Sequence, residues 1–234
     1  MSIAENISAV RAHIRAAAAR VRRNPGEITL MAVSKTVEPE RIRQAYDAGL
    51  RVFGENRVQE FEKKAPNLHD LEEAEWHLIG HLQSNKAKKA AELFNAVDSV
   101  DSLHLAQKLN ESARQTGRIL PLLIEIKVSD EASKAGIPAG SPALEELLKG
   151  AAALDHIQIR GLMTVPPFAE NPEDARVYFR LLRDLRDQIA ERKLPRIQMD
   201  VLSMGMSHDF EVAIEEGSTC VRVGTAIFGT RPKP

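Results

Sequence analysis

Short apolar runs alternate with longer helical patterns along the chain, and this alternation limits the possible folds more than any other feature. Eight apolar runs have the length of strands: ITLMAVSK (28–35), RVFGEN (51–56), WHLIG (76–80), NAVDSVD (95–101), PLLIEIKVS (121–129), IQIRGLMTVP (157–166), MDVLSMG (199–205) and TCVRVGTAIFG (219–229). The segments between them have helical periodicity: 38–49, 57–65, 84–93, 103–116, 142–153, 173–192 and 209–216. Strands that alternate with helices predict βα units and a parallel sheet.

Eight parallel strands are the number that closes a (β/α)8 barrel, and 234 residues are enough for one such barrel with few insertions. An open doubly wound sheet is the alternative. It normally has fewer strands and a glycine-rich first turn, which AVSKTVEPE (32–40) lacks. No linker rich in Pro, Gly or Ser divides the chain. We therefore predict an α/β protein with one domain over residues 1–234, a single (β/α)8 TIM-type barrel.

Two amphipathic segments are expected to pack on this barrel. Residues 1–24 are rich in arginine, a pattern shared by transit peptides and surface helices, but Glu5 near the start and the lack of a cleavage-like segment favour a helix. We predict an extra N-terminal helix over 1–24 packed on the barrel. The pattern over 173–192 predicts an outer helix whose inward face carries Val177, Leu181, Leu185 and Ile189.

Composition excludes several classes of protein. Hydrophobic residues make up 43% and charged residues 28%, as in an ordinary soluble globular protein. The net charge of −1 gives no general attraction to nucleic acid or anionic membranes, and no apolar run approaches the roughly 18 residues of a membrane span. The sole cysteine, Cys220, excludes a disulfide framework and favours a reducing, cytoplasmic compartment. The histidines have no metal-ligand spacing, so no metal site is predicted.

Active sites of such barrels lie at the carboxyl ends of the strands. In this sequence, polar residues and glycines are concentrated at those ends, together with two methionines. These residues are Lys35, Glu55, Asn56, Gly80, His81, Met163, Thr164, Ser203, Met204, Gly205, Arg222, Gly224 and Thr225.

Lys35 requires an explanation because lysine is strongly hydrated and rarely fully buried without a partner. A lysine desolvated at a barrel mouth becomes a nucleophile toward carbonyl carbon and forms a Schiff base. The alternative is a structural lysine that reaches the rim or pairs with a carboxylate such as Glu55.

Glycine and hydroxyl residues follow the last two predicted strands, where such barrels frequently bind phosphate. Ser203, Gly205 and Ser207 follow one strand, and Gly224 and Thr225 the other. The alternative for Ser207 is capping of the next helix. A lysine beside a phosphate site suggests a phosphorylated aldehyde or ketone, and thus a class I aldolase-type enzyme or a protein that holds pyridoxal phosphate (PLP).

Arg222 separates these two possibilities, because an arginine there could donate to a pyridine nitrogen and weaken the electron sink of the cofactor. Its alternative role is a salt bridge with Asp200 or Glu125.

Eight motifs together resemble the pyridoxal phosphate homeostasis protein family, whose fold is similar to the N-terminal barrel of alanine racemase. They occur in order between about residues 28 and 231: AVSKT, FGENRVQE, WHLIGHLQSNK, SVDSLHLA, EASKAGI, RGLMTVPP, LSMGMSHDFEVAI and GSTCVRVGTAIFGTR. The resemblance implies that Lys35 carries PLP as an internal aldimine. It implies that Arg222 meets the ring nitrogen and that the phosphate is surrounded by Ser203, Ser207, Gly224 and Thr225. It also implies that Asn56, Met204 and His81 lie beside the cofactor.

Two positions depart from the family pattern. Arg57 stands where relatives often have Tyr, and Lys127 where they often have Asn. Lys127 shares a strand face with Glu125 and is therefore the rival site for the cofactor, unless it leans to the rim or pairs with Glu125. The irregular segment 129–142 is either a lid or a solvated loop.

The resemblance implies a role in buffering or delivering PLP, and the residues favour a binding protein over an enzyme. A two-base racemase needs an acid and a base on opposite faces, commonly Lys and Tyr, and Tyr46 and Tyr178 both fall inside predicted helices. Racemase is the second possibility and class I aldolase the third. A barrel that binds only proteins also remains open and predicts a colourless protein. We expect a monomer that supplies PLP-dependent apo-enzymes and binds neither nucleic acid nor membrane.

Overall fold

The structure, a computed structural model, describes residues 1–129, 131 and 135–230. Within these ranges the strands are β1 (Thr29–Val33), β2 (Val52–Glu55), β3 (Glu75–Leu78), β4 (Ala96–Val100), β5 (Leu120–Lys127), β6 (Ile137–Pro138), β7 (Ile157–Met163), β8 (Ile197–Met206) and β9 (Cys220–Val223). The helices are α1 (Ile3–Arg20), α2 (Pro39–Asp47), α3 (Val58–Lys64), α4 (Ala87–Leu93), α5 (Leu103–Gln115), α6 (Pro142–Ala151), α7 (Arg176–Glu191), α8 (Phe210–Glu215) and α9 (Thr225–Phe228).

Eight of the strands close into a parallel barrel. Their order is β4-β3-β2-β1-β9-β8-β7-β5, and a β4–β5 pairing closes the ring. The short strand β6 adds to β5 outside the ring, with Ile126 opposite Ile137. All the pairings are parallel, for example Ala32 with Phe53 between β1 and β2. The predicted (β/α)8 barrel is confirmed, and each predicted helical segment contains one of the helices α2 to α8.

The eighth apolar run differs from its prediction. It was expected to be one strand over 219–229, but β9 ends at Val223 and a helical turn, α9, begins at Thr225. Ile227 and Phe228 are buried on this turn. The apolar residues after Gly224 therefore pack as a helix, which brings the chain out of the barrel wall directly after β9.

The inward face of α7 was also predicted wrongly in part. Ile189 is buried as expected, but Val177 is 62% exposed and Leu181 is 38% exposed. The buried stripe instead includes Phe179 and Leu182. Burying the aromatic ring of Phe179 removes more apolar surface from water than burying Val177, so the helix rotates toward the aromatic stripe.

Helix α1 packs against α2, α8 and α9 on the outside of the barrel. It begins with a capping box, in which the Ser2 hydroxyl accepts from the Glu5 backbone and the Glu5 carboxylate accepts from the Ser2 backbone. Its buried face carries Ile3, Ile7, Val10, Ile14, Ala17 and Ala18.

Among the helices in the described ranges, none is both long and apolar enough to cross a membrane. Residues 130 and 132–134 of the expected lid segment lie outside the described residues. The rest of that segment includes β6 and leads into α6.

Candidate functional site at the barrel mouth

The carboxyl ends of the eight parallel strands meet at one end of the barrel, which is the barrel mouth. A cleft of about 40 Å³ lies there between the turns that follow β1 and β9, and its lining includes Lys35, Gly224 and Thr225. Lys35 is half-buried and Thr225 is exposed. The structure therefore brings the predicted lysine together with the predicted glycine–threonine pair.

The turn that presents Lys35 has a strained backbone. Thr36 has a φ of +61°, a left-handed conformation that β-branched residues rarely adopt. Its backbone N–H donates to the carboxylate of Glu60 on α3, which holds the turn in place. Strained residues of this kind cluster at functional sites, where the surrounding structure fixes them.

A buried ion pair supports the same turn from behind. Glu55, at the end of β2, is fully buried, accepts from the Ser34 hydroxyl at 2.7 Å and lies 3.1 Å from the Lys64 ammonium. Burial raises the pKa of Glu55, and the Lys64 charge and the Ser34 hydrogen bond oppose that effect. The lysine bound to Glu55 here is thus Lys64, and the Lys64 ammonium also donates to the Ser34 carbonyl at 2.9 Å.

The turns after β8 and β9 are joined by one hydrogen bond. The Gly224 backbone N–H donates to the Ser207 hydroxyl at 3.2 Å. The expected alternative, in which Ser207 caps the next helix, does not hold, because Asp209 occupies the N-cap position of α8. The Asp209 carboxylate instead accepts from the Met206 N–H at 2.6 Å. The Ser207 hydroxyl is therefore joined to the turn after β9 and does not cap α8.

Two glycines permit close approaches at the mouth. Gly205 has a φ of +92°, and a Cβ there would lie 2.5 Å from the Cβ of Ala213 on α8. A Cβ at Gly80 would lie 2.3 Å from the backbone oxygen of Asn56. These positions accept only glycine, which lets the β8 turn sit against α8 and the β3 end sit against the β2 end.

Arg222 lies on β9, two residues before Gly224, and is 3% exposed. Its guanidinium donates to the Ser203 hydroxyl and to the Thr164 carbonyl, both at 2.7 Å. The expected salt bridge to Asp200 is not formed, because Asp200 pairs with Arg160 at the opposite end of the barrel. The hydrogen-bond partners of this buried cation in the described ranges are therefore neutral.

Three carboxylates surround the Arg222 cation at longer range. Burial lowers the pKa of Arg222, and the charges of Asp98, Glu125 and Asp209 oppose that effect. Each of the three carboxylates is at most 8% exposed. The barrel thus balances one buried guanidinium with acids placed around it.

Glu125, on β5, is the acid with an unmet hydrogen-bonding atom. It is 7% exposed, and its Oε2 has no hydrogen-bond partner in the described part of the chain. Burial raises the pKa of Glu125 to about 6, Arg222 acts against this, and Asp101 adds to it. A buried oxygen without a donor indicates that a group from outside the chain can bind there.

The remaining predicted residues are more dispersed. Asn56 is half-buried directly after β2. His81 follows the end of β3, and its 59% exposed side chain places Nδ1 3.3 Å from the Asp101 carboxylate. Met204 is fully buried in the apolar core, and its carbonyl accepts from the Ser218 hydroxyl at 2.8 Å. The Met204 side chain is therefore not among the groups that line the cleft.

Sequence reasoning gave no role to Glu60, Lys64 or Asp98. The i, i+4 spacing of Glu60 and Lys64 on α3 was an available signal for an ion pair, which the structure has at 2.9 Å. Asp98 gave no such signal, because its importance depends on which strands face it inside the barrel.

The two tyrosines lie in helices, as predicted. Tyr46 belongs to α2 and Tyr178 to α7. The Arg51 guanidinium stacks over the Tyr46 ring at 4.1 Å from its centroid. Neither tyrosine is on a strand end.

Comparison with known proteins places the chain in a family. The profile described as "Alanine racemase, N-terminal domain" matches residues 6–232. A "Pyridoxal phosphate homeostasis protein" of Aquifex aeolicus (strain VF5) is 45% identical over 231 residues, which is 99% of each chain. The protein of the same name from Escherichia coli (strain K12) is 45% identical over 98% of this chain and 97% of its own.

Solved structures agree with these relatives. PipY of Synechococcus elongatus PCC7942, solved with PLP bound, is 38% identical and has a TM-score of 0.85, covering 97% of this chain and 100% of its own. An alanine racemase of Clostridium difficile 630 shares the fold alone, with 16% identity and a TM-score of 0.76, and this chain covers 57% of it. The chain therefore belongs to the alanine racemase N-terminal domain family and, within it, to the pyridoxal phosphate homeostasis proteins.

Proposed function

We propose that the chain binds pyridoxal 5'-phosphate at the barrel mouth and serves intracellular PLP homeostasis, buffering or delivering the cofactor without robust catalysis of its own. The observation that carries this proposal is the cleft that brings Lys35 together with Gly224 and Thr225. The buried Arg222 precedes Gly224 by two residues on β9. The name of the relatives and the PLP-bound PipY structure support the same conclusion.

The residues of the mouth fit the chemical groups of PLP. Its aldehyde condenses with a primary amine, and Lys35 supplies one at the cleft. The hydroxyls of Ser207 and Thr225 and the backbone at Gly224 would bind the phosphate. Arg222, held by Ser203 and Thr164, would face the ring nitrogen, with Asn56 and His81 at the rim and Met204 supporting the turn from the core.

The absence of robust catalysis is part of the proposal. A racemase needs a second acid–base group opposite the lysine. Both tyrosines of the chain are in helices, and the relatives are named homeostasis proteins. An open cofactor held chiefly through its phosphate suits release to apo-enzymes. We further propose that the chain acts in the cytoplasm as a monomer.

A titration of the apo-protein with PLP, followed by absorbance, tests cofactor binding. We expect the wild type to turn yellow and Lys35→Ala to bind at least about tenfold more weakly, since a covalent attachment is lost. Lys149→Ala, which alters an exposed lysine on α6, is the matched control and should bind like wild type. Equal affinities of the wild type and Lys35→Ala would contradict the site assignment.

Two further measurements separate carrier from racemase. The loaded protein, incubated with L-alanine in D₂O, is expected to yield neither D-alanine nor deuterium at Cα above the blank, whereas a racemase yields both. The loaded protein is also expected to restore activity to a PLP-dependent apo-enzyme. PLP that stays bound through long dialysis against a scavenging amine, and never reaches the apo-enzyme, would exclude the carrier role.

A further inference from the structure

Lys35 stands between two residues whose backbone is tied to the same helix, α3. On one side, the Ser34 carbonyl accepts from the Lys64 ammonium at 2.9 Å. On the other side, the Thr36 N–H donates to the Glu60 carboxylate. Thr36 also has the left-handed φ of +61°, so the chain turns directly after Lys35. The backbone is therefore fixed on both sides of the lysine that lines the cleft.

One ammonium joins these two attachments. Lys64 Nζ lies 2.9 Å from Glu60 Oε1 and 3.1 Å from Glu55 Oε1, in addition to its hydrogen bond to Ser34. A lysine ammonium has three N–H donors, and three acceptor groups surround this one. Because the Glu60 carboxylate also accepts from the Thr36 N–H, Lys64 links the residue before the cleft lysine to the residue after it.

The ion pair lies on the side of the barrel wall that faces α3. Phe53, two residues before Glu55 on β2, stacks on the tryptophan of β3 with ring centroids 5.0 Å apart, and Phe61 of α3 contacts the same tryptophan at 4.6 Å. Alternate residues of a strand share a face, so Glu55 shares the face of Phe53 that looks toward α3. Lys35 instead lines the cleft at the mouth. Lys64 therefore supports the turn from behind the barrel wall.

Stability alone does not account for charges at this place. The Glu55 side chain is fully buried and the Lys64 side chain is 12% exposed. The desolvation of two such charges offsets most of their attraction, and apolar residues of similar size often stabilise a protein as well or better. An apolar pair could not hold the Ser34 carbonyl and the Glu60 carboxylate in place, which is what this pair does.

We propose that Lys64 and Glu60 are positioning residues, which hold the turn so that the Lys35 amine faces the cleft where PLP would bind. This inference rests on the proposed function. In the attachment, the neutral Lys35 amine forms a C=N bond to the aldehyde carbon, and the aldehyde oxygen leaves as water with the two amine hydrogens. A displacement of about 1 Å at the reacting atoms can lower a rate by about 100-fold. Lys64 and Glu60 therefore set the rate of attachment without contacting PLP.

The test separates occupancy of the cleft from covalent attachment. Pyridoxine 5'-phosphate, which has the ring and the phosphate of PLP but no aldehyde, measures occupancy as a dissociation constant. The first-order rate constant for growth of the yellow absorbance at saturating PLP measures attachment, and borohydride reduction with peptide mapping locates it on Lys35. We expect Lys64→Met and Glu60→Ala each to lower this rate constant at least about tenfold and to change the dissociation constant less than about twofold.

Control variants on the same helix have matched chemistry. Lys63→Met removes an exposed lysine, and Glu62→Ala breaks a surface ion pair with α4, so both should attach PLP at the wild-type rate. Glu60→Gln keeps an oxygen that can accept from the Thr36 N–H and should be slowed less than Glu60→Ala. In the apo-protein, Glu60→Ala should also speed hydrogen exchange of the Thr36 N–H, which is a readout that does not involve PLP.

Attachment at the wild-type rate in Glu60→Ala, or in a folded Lys64→Met, would overturn the positioning role and leave the proposed function. Equal losses of rate and occupancy would also overturn it, because they indicate a distorted cleft. If Lys64→Met did not fold, Glu60→Ala alone decides the question, since the Glu60 side chain is 25% exposed. A wild type that attaches no PLP to Lys35 would overturn the proposed function, and the positioning role with it.

Discussion

Charged side chains at the amino ends of the strands are paired with one another, whereas two buried charged residues near the mouth, Arg222 and Glu125, form no ion pair in the described ranges. At the amino end, His77 Nδ1 lies 3.1 Å from the Asp98 carboxylate. Arg160 pairs with Asp200 at the same end. At the mouth, Arg222 donates to a hydroxyl and a carbonyl, and Glu125 keeps a buried oxygen without a donor in the described ranges.

Cavity size does not follow this difference in pairing, because the larger cavity lies at the amino end, where the charges are paired. The amino end has a cavity of about 500 Å³ lined by the His77–Asp98 and Arg160–Asp200 pairs, while the cleft at Lys35 is about 40 Å³. Cavity volume alone would therefore point to the end opposite the proposed PLP site. Unmet hydrogen-bonding capacity is the better guide, because a buried polar group is retained without a partner only where something else compensates for it.

The largest expected effect concerns the paired end. Asp98→Ala leaves the half-buried His77 cation without its buried carboxylate, and we expect the free energy of unfolding to fall by about 3 to 5 kcal/mol. Asp200→Ala, which breaks a pair whose aspartate side chain is 48% exposed, should cost less than about 1 kcal/mol. Urea denaturation at pH 7 measures both. A loss below 1 kcal/mol for Asp98→Ala would break the contrast between the two ends.

The same pair predicts a pH dependence. Burial disfavours the charged imidazole of His77, but Asp98 and, more weakly, Glu75 outweigh it and raise its pKa to about 10. A raised pKa means that the stabilisation is complete below about pH 6.5 and is lost as the pH rises toward 10. Between pH 7 and 9 we expect wild type to lose about 2 kcal/mol relative to His77→Gln. If the free energies of unfolding of wild type and His77→Gln changed equally with pH, the His77–Asp98 pair would not be ionised as described.

At the mouth, removing the charge of the buried acid Glu125 should raise the free energy of unfolding, whereas removing Asp98 should lower it. The pKa of Glu125 is raised to about 6 by burial, so its ionisation opposes folding, and the loss of stability grows as the pH rises from about 4.5 through 6. We expect Glu125→Gln to stabilise the apo-protein by about 1 to 2 kcal/mol at pH 7 and to change little at pH 4. Urea denaturation at both pH values decides this, and destabilisation at pH 7 would mean that Glu125 has an internal partner.

The smallest effect concerns the strained turn beside Lys35. Thr36→Gly removes a side chain that disfavours the φ of +61°, and it keeps the N–H that donates to Glu60. We expect stability to rise by up to about 1 kcal/mol, because relief of the strain exceeds the added entropy of the unfolded chain. Thr230→Gly, at an exposed position of the same cleft, is a control that should not stabilise. Lower stability in Thr36→Gly would show that the turn stores no strain.

The barrel and the main grouping of the mouth could be predicted from sequence. The period of the apolar runs identifies eight strands, and the carboxyl ends of parallel strands must meet. Lys35 and the Gly224–Thr225 pair could therefore be placed together before the cleft was seen. The end of β9 could not be placed, because Ile227 and Phe228 read equally well as a strand or as one helical turn.

The interior of the barrel was harder to predict. Whether Arg222 meets Ser203, Asp200 or Glu125 depends on strand register and on which side chains are inside, and a single sequence gives neither. The same holds for Asp98, whose pairing with His77 joins β4 to β3. The buried face of α7 was predicted in part, since Ile189 lay on two candidate stripes and the stripe with Phe179 buried more apolar surface.

Identifying the lysine to which PLP becomes attached tests most directly which end of the barrel, and which side of its mouth, binds the cofactor. The protein is loaded with PLP, reduced with borohydride, digested and mapped by mass spectrometry. We predict a pyridoxyl group on Lys35, with Lys35→Ala leaving the protein unlabelled. A label on Lys127, or no label on the wild type, would contradict the assignment of the mouth that Lys35, Gly224 and Thr225 define.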